Sequence, residues 1–470
     1  MLDAVVIGGG VGGLASAYRL RERLRGRMRG AGREPAIAVL ERAAIWGGVM
    51  RTRVEHGCVL EEGPDSILRA HPAGIGLLDD LGLQGEVQET DVDARRSLIA
   101  RGDRLLPIPD GLYLLAPGRI RPFLASPTLS WRGKARALGD LVVPRRRADV
   151  AEESLAAFVR RRLGRETLER LAQPLAGGIH TGDPERLSVD AAFPHLVAME
   201  RSHGSLIRAL RARRGDPAFA AAAGPRYALF ASLRGGLGRM IEVLVERLAG
   251  CDLRLGSGAS AIGRDGDAWR VRLDDGTTLS TRAIVLAGPA HAAATLVRGL
   301  DSGFADALDA IEYSGVATIN IGYAADAVTM PAAAGFVVPA VEGRSLIAAT
   351  FASRKYSGRA PADVAVVRAF VGGALGERRL DDADATLVAQ AVADLRPLLR
   401  ARGAPLFTTI HRWPRSMAQP TLGHGERVAR IRALEAAQRG LALVGNGYEG
   451  VGIPQICEQA RRAAERLVPG

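Results

Sequence analysis

The 470-residue sequence contains three cysteines, Cys58, Cys251 and Cys457, set far apart. No CxxC pair and no Cys/His spacing of a zinc site occurs, so the cysteines are read as packing residues in a reducing compartment. The eight histidines form no HExxH-type set, and no metal is expected. Aromatic residues make up only 4% of the chain, which leaves few stacking platforms for nucleic acid. Lysine is almost missing: Lys134 and Lys355 are the two present. The net charge of +12 is therefore carried by arginines dispersed along the chain, without the basic stripe of a nucleic-acid binder. An acidic substrate or an anionic membrane surface remains open as a partner. No apolar run reaches the roughly 18 residues that span a bilayer; the longest, residues 283–297, is broken by Gly288-Pro289 and His291. The first strand starts at once, so no signal peptide is expected. The expected location is cytoplasmic, with peripheral contact to the inner face of the cell membrane as the alternative.

Glycine is abundant, and it concentrates at both ends. Gly8-Gly9-Gly10-Val11-Gly12-Gly13 follows the apolar run Ala4-Val5-Val6-Ile7 and precedes a helical pattern from Leu14 to Leu20. This strand, turn and helix context is what a dinucleotide fingerprint needs. Gly8 suits the tight turn, Gly10 the approach of a pyrophosphate and Gly13 the packing of helix on strand, with phosphate facing the helix N-terminus. A second strand, Ala36-Ile37-Ala38-Val39-Leu40, ends at Glu41, the expected ribose acceptor. Glu41 lies 28 residues past Gly13, against an interval of roughly 20 in the usual motif. The excess falls in the Arg- and Gly-rich residues 25–33, read as a solvated extension. Near the other end, Gly445-Asn446-Gly447-Tyr448-Glu449-Gly450-Val451-Gly452 follows a short apolar strand and precedes an amphipathic helix over residues 453–467. That helix start suits a second dipole end aimed at the cofactor.

Three units are expected from the pattern between these ends. Residues 1–90, 226–297 and 411–470 form a Rossmann-like cofactor-binding domain. Residues 91–105 and 298–410 form an antiparallel-sheet substrate domain, with strands at 317–323, 335–339, 345–351 and 364–371 and a helix over 381–402. Residues 106–225 form an inserted helical domain, helical over 155–199 and 205–214, with a loose loop at 216–225. Within the first unit, a helix from Gly238 to Leu248 is followed by strands at 251–255, 268–273 and 283–287, with a hairpin at Asp274-Asp275-Gly276. The fold class is α/β.

With these motifs placed, the chain resembles the protoporphyrinogen/coproporphyrinogen oxidase family, within the FAD-dependent, amine oxidase-like flavoproteins. The general motifs are the first glycine loop with Glu41, the Gly47-Gly48 turn in Trp46-Gly47-Gly48-Val49-Met50-Arg51-Thr52, and Gly445-Asn446. More specific are Glu62-Gly63-Pro64-Asp65-Ser66, the block from Gly178-Ile179-His180-Thr181 to Ser188, Phe193-Pro194, Arg412-Trp413-Pro414 with Gly423-His424, and the 447–452 segment.

The resemblance implies FAD-dependent, six-electron oxidation of protoporphyrinogen IX to protoporphyrin IX in tetrapyrrole biosynthesis, with dioxygen as acceptor and hydrogen peroxide released. Coproporphyrinogen III is the alternative substrate, since Gly-Pro-Asp-Ser resembles that branch. No catalytic side chain is implied, because the flavin carries the redox chemistry. The cofactor residues it implies are Gly8, Gly9, Gly10, Gly12, Gly13, Glu41, Arg42, Gly47, Gly48, Gly63, Pro64, Asp65, Ser66, Trp413, Gly445, Asn446, Val451, Gly452 and Ile453. A peptide between Cys251 and Ala261 is expected beside the adenine. For substrate it implies Arg96 on a propionate, Gly178 by backbone approach, Phe370 as a stacking ring, and Val337 and Thr350 at positions that usually carry leucines. Thr350 departs from the family, its smaller, polar side chain either loosening the hydrophobic clamp or accommodating a more polar porphyrinogen. In the family the helical insertion contacts membrane, and Leu112-Tyr113-Leu114-Leu115-Ala116-Pro117 is read either as such a patch or as a wall of the substrate cavity. A downstream chelatase and a homodimer are further partners to expect.

Two other readings stay open. A flavin amine oxidase would carry a lysine on the substrate sheet, where this chain has Thr318, and Lys355 lies too far along to replace it. A flavin-binding carrier without oxidase activity would share the cofactor motifs.

Overall fold

Four short runs of small and branched apolar residues, buried almost along their whole length, build the first sheet, with a more polar, partly exposed strand at one edge. The computed structural model describes residues 1–28, 33–109, 111–113, 115–147, 152–213 and 230–469. In it, Asp252–Arg254, Ile37–Leu40, Ala4–Ile7, Ile284–Ala287 and Leu441–Val444 lie side by side in that order, every pair parallel. Only Ile284–Ala287 separates the first strand of the chain from the last. The helices Val11–Arg27 and Ile453–Leu467 consequently lie against each other. The second is amphipathic as expected, burying Ile453, Cys457, Ala460 and Ala464 at helical spacing.

The second sheet has seven strands, in the order Phe407–Gln419, Glu312–Ala324, Val364–Gly372, Leu346–Thr350, Gly335–Val337, Ser97–Arg101 and Arg104–Pro107. It is mixed rather than purely antiparallel, since Gly335–Val337 pairs parallel with Ser97–Arg101. One face is apolar: Ile319, Val367 and Ala369 pack on Leu387, Ala391 and Leu395 of the helix Asp384–Leu399. Because side chains alternate along a strand, Thr318, Val337, Thr350, Arg368 and Phe370 fall on the other face.

Three expectations need correction. The strand Phe407–Gln419 runs along Glu312–Ala324 at the edge of the substrate sheet, so residues 411–419 belong there and not to the cofactor domain. Polar residues and Pro414 hid it from the sequence; an edge strand tolerates both, and the ladder shifts register opposite Pro414 and Arg415. Residues 155–199 are not one helical stretch but short helices, including Leu155–Arg162, Gln173–His180 and Pro194–His203. The breaks fall where the backbone turns left-handed, at Gly164 (φ 91°) and Thr181 (φ 51°). Finally, Ala259–Asp265 is a strand paired with Ala268–Leu273, masked in sequence by its turn-like Gly263-Arg264-Asp265. The hairpin at Asp274-Asp275-Gly276 is present. The loop at 216–225 and residues 29–32 lie outside the described residues.

The described side chains of the Leu112–Pro117 segment face inward. Leu112, Leu115, Ala116 and Pro117 are buried, and Leu115 and Ala116 join the core formed by Phe158, Val159 and Leu196; Leu114 is outside the described residues. Among the described residues no helix is long and apolar enough to cross a membrane.

A buried charge network holds the helical insertion. Arg162, fully buried, donates to Asp140 Oδ1 at 2.6 Å, to the carbonyls of Val143 and Gly204 at 3.0 and 2.8 Å, and to Glu200 at 3.2 Å. Asp140 also accepts from Ser205 Oγ at 2.6 Å and the Ile207 amide at 3.0 Å. The Arg162–Asp140 pair thus joins the end of the helix Leu155–Arg162 to the end of Pro194–His203 and the start of Leu206–Ala212. His180 is also buried, edge-on to Phe193 at 5.5 Å, and burial pushes its pKa down to about 4.

Two stability predictions follow from this unit. Asp140→Ala removes the closer of the two carboxylates paired with the buried Arg162 guanidinium and should destabilise the protein by about 3–5 kcal/mol, read as a lower urea midpoint. His180 stays neutral in the fold between about pH 4 and 6.5, where the unfolded chain takes up the proton. Stability should therefore fall as pH drops through that window, and His180→Gln should abolish roughly 3 kcal/mol of that fall. An identical pH dependence in wild type and variant would contradict this.

Candidate functional site

Both glycine segments leave the carboxyl ends of parallel strands and open helices, the placement at which anions bind in such sheets. At Gly8 (φ 114°) a Cβ would lie 2.0 Å from the Ala287 carbonyl oxygen, and at Gly13 it would lie 1.8 Å from that of Gly8. Both positions are closed to any other residue by backbone contact. Gly12 packs against the far end of the chain: a Cβ there would meet Ile456 and Val444 at 3.0 and 3.1 Å. Gly10 differs, since its Cβ direction is clear to 3.8 Å, which leaves room for a ligand.

The fit to a dinucleotide rests on the two helix starts. Gly10 caps Val11–Arg27 and Gly452 caps Ile453–Leu467, neither with a side-chain cap and neither with an acidic residue in the first turn. The amide donors of both first turns therefore point outward without a side-chain acceptor. Glu41 stands beside the loop, its carboxylate accepting from the Gly9 amide at 2.6 Å and from that of Ala43 at 2.7 Å. The Gly47 amide donates to the Gly9 carbonyl at 2.8 Å, so the Gly47-Gly48 turn lies directly on the first loop. Trp46 packs over Gly9, within 2.4 Å of where its Cβ would be. Arg42 reaches away, to the Ala259 carbonyl at 3.1 Å and Asp274 at 3.4 Å; it belongs with the segment expected beside the adenine. These residues fit FAD.

At the other end, Asn446 uses its amide to donate to the Ser416 carbonyl at 2.7 Å, which ties the terminal segment to the strand Phe407–Gln419. Val451 and Ile453 pack into the apolar cores beneath. Trp413 donates its indole N–H to the Glu62 carbonyl at 2.7 Å, with Arg51 5.2 Å over its ring and His411 at 4.0 Å. A cleft of about 500 Å³ opens beside them, between Trp46, Met50, Arg51 and Ile241.

The loop Gly63-Pro64-Asp65-Ser66 needs a revised reading. The polar atoms of Asp65 and Ser66 are taken up by the protein: Lys355 Nζ lies 2.9 Å from both Asp65 oxygens and 2.8 Å from Ser66 Oγ. Arg368 reaches Asp65 at 3.0 Å, and Ser66 Oγ is 2.8 Å from the Tyr356 hydroxyl. Burial alone would raise the Asp65 pKa, but Arg368 and Lys355 outweigh it and hold the carboxyl well below the usual range. Burial pushes Lys355 down despite Asp65. These side chains fasten the loop to the substrate domain.

Three of the residues expected to bind substrate, Val337, Thr350 and Phe370, lie on the polar face of the seven-stranded sheet. Register places Val337, Ala348, Phe370 and Thr318 in one row, and Gly335, Thr350, Arg368 and Asn320 in the next. Val337, Thr350 and Phe370 are half-buried. Gly178, exposed, comes to this face from the helical unit: a Cβ there would meet Val337 at 3.3 Å. Its segment is fixed by Gln419, which donates to the His180 carbonyl at 2.8 Å and to Ser314 Oγ at 2.9 Å. Arg95 is engaged with Thr90 and Glu89. Arg96 is exposed and makes no side-chain hydrogen bond or ion pair among the described residues. Thr318 occupies the position opposite Phe370, and Lys355 is bound to Asp65, so neither supplies the lysine of an amine oxidase. Among the described residues no cluster of metal-ligating side chains occurs.

Sequence reading missed Arg368, Lys355, Tyr356 and Asn320. Two signals were available: Lys355 is one of two lysines in the chain, and Arg368 interrupts an otherwise apolar strand.

Comparison with known proteins agrees with this geometry. The family model "Flavin containing amine oxidoreductase" matches residues 11–468. The chain is 34% identical to a coproporphyrinogen III oxidase of Propionibacterium freudenreichii subsp. freudenreichii, over 99% of this chain and 90% of that protein. It is 30% identical to the coproporphyrinogen III oxidase of Bacillus subtilis (strain 168), over 98% and 96%. With protoporphyrinogen oxidase 1 of Arabidopsis thaliana chloroplasts the identity is 29%, over 98% and 87%. A crystal structure from Exiguobacterium sp. 255-15 superposes with a TM-score of 0.85 at 28% identity, covering 99% of this chain and 98% of that one. The chain therefore belongs to the flavin-containing amine oxidoreductases, alongside the porphyrinogen oxidases, and its cofactor is FAD.

Proposed function

We propose that the protein oxidises coproporphyrinogen III to coproporphyrin III, with dioxygen as the acceptor. Six hydrogens leave the macrocycle in three pairs, and three dioxygen molecules become three of hydrogen peroxide. The observation that carries this choice over protoporphyrinogen IX is that both relatives reported at 30% identity or more act, by name, on coproporphyrinogen III. Thr350 supports it, being a hydroxyl on the substrate face at a position that suits a more polar macrocycle.

In this reading each residue acts by holding or excluding. The first-turn amides after Gly10 and Gly452 receive the negative charge of the cofactor, and Glu41 accepts from a ribose. Bound FAD supplies the two-electron redox chemistry. Phe370 presents a ring to one face of the macrocycle, and Val337 with Gly178 closes around its edge, which keeps water from the reacting carbons. Arg96 pairs a propionate through its planar donors. A cytoplasmic site of action agrees with three unpaired cysteines, of which burial pushes the Cys457 thiol up to about 12.

Porphyrin fluorescence formed from coproporphyrinogen III and from protoporphyrinogen IX, assayed side by side, tests the proposal. The former should be turned over with the higher kcat/KM, and turnover of neither would refute an oxidase role. In the same assay Arg96→Ala should raise KM about 10- to 100-fold, as expected for one charged hydrogen-bonded contact, while bound FAD stays unchanged. Loss of FAD instead would place Arg96 wrongly.

A further inference from the structure

Arg368 is 4% exposed, on the substrate face of the second sheet, and it makes contacts to two parts of the site at once. One guanidinium nitrogen donates to the Gly63 carbonyl at 2.8 Å, and another lies 3.0 Å from Asp65 Oδ2. Both partners are in the loop 63–66, next to Glu62, whose carbonyl receives the Trp413 indole. The same guanidinium stands 4.9 Å from the centre of the Phe370 ring. Phe370 is two residues along the strand, so the two side chains share a face by geometry.

We propose that Arg368 is a positioning residue: it holds the loop beside the cofactor and the Phe370 ring in one fixed relation, so that the platform under the substrate and the loop move together. This rests on reading that face as the porphyrinogen platform. Three features make the coupling stiff. The guanidinium is planar, so a bond to Gly63, a pair with Asp65 and stacking on Phe370 fix its plane in three directions. Asp65 is itself held by Lys355, which also binds Ser66. Arg359, buried nearby, joins Glu61 at 3.2 Å and the Leu233 carbonyl at 3.1 Å, and Glu61 accepts from the Leu237 amide at 2.9 Å. The network therefore runs from the substrate sheet, through residues 61–66, to the start of the helix Gly238–Arg247 in the cofactor domain. A lysine at 368 would keep the charge but lose the planar fork, and it could not serve all three partners.

The coupling is read on FAD-loaded protein without substrate, by the visible circular dichroism of the bound flavin. Phe370→Leu and Arg368→Lys should each alter that spectrum at unchanged FAD content, and the double variant should add nothing to the larger single effect, as for two residues on one path. With coproporphyrinogen III, Arg368→Lys should lower kcat about 10- to 100-fold with little change in KM, whereas Phe370→Leu should chiefly raise KM. An unchanged flavin spectrum in Phe370→Leu overturns the proposal, as do simply additive effects. If Arg368→Lys does not retain FAD, the Phe370→Leu spectrum alone decides. Failure of the wild type to turn over any porphyrinogen would refute the proposed function and leave the spectral test standing.

Discussion

The close approach of Gly8 to the Ala287 carbonyl is the contact on which the rest of the molecule depends. It lets the strand Ala4–Ile7 end hard against its neighbour Ile284–Ala287, and the helix that follows then drops onto the same carbonyl edge through Gly13. The last strand, Leu441–Val444, completes the sheet on the far side of Ile284–Ala287. Gly12 then meets Val444 and Ile456, and two helix starts come together from opposite ends of the chain. A single methyl group at Gly8 or Gly13 would require the backbone to move, because each would stand about 2 Å from a carbonyl oxygen, and neither oxygen belongs to a flexible side chain.

The cofactor and substrate halves are joined by buried charge as well as by the apolar cluster of Cys58, Leu60 and Val366. Glu61, Asp65, Lys355, Arg359 and Arg368 are buried or nearly so, and each is paired. Buried pairs of this kind add little net stability, since desolvation offsets attraction, but removing one partner is costly. Their effect is to specify one arrangement: only one placement of residues 61–66 satisfies the three cations together. The helical insertion uses the same device, with Arg162 at its centre.

Much of the fold was legible because its signals are local. Residues 4–7, 268–273 and 453–467 announce themselves by apolar runs or by helical period, and the structure matches them to within a residue. The glycine loop and Glu41 were legible because chemistry demands those residue types at one place. What failed was non-local. The strand Phe407–Gln419 was divided between two domains at residue 411, because its apolar partner, Glu312–Ala324, lies almost a hundred residues away and supplies the ladder. The burial of Leu112 and Leu115 depends on helices that follow them in sequence. Asp65 was singled out for cofactor or substrate, whereas its partners in the structure are Lys355 and Arg368, about 300 residues further along, and no spacing in the sequence connects them. The candidate substrate residues Val337, Thr350 and Phe370 came from the resemblance, and register places them on adjacent strands of a single face.

Anaerobic mixing of the FAD-loaded protein with coproporphyrinogen III is the most direct test of a site that joins this cofactor to this class of substrate. With protein in excess, loss of the oxidised-flavin absorption should accompany the rise of porphyrin emission, with three equivalents of flavin bleached for each porphyrin formed. Porphyrin formation without bleaching, or no bleaching at all, would contradict it.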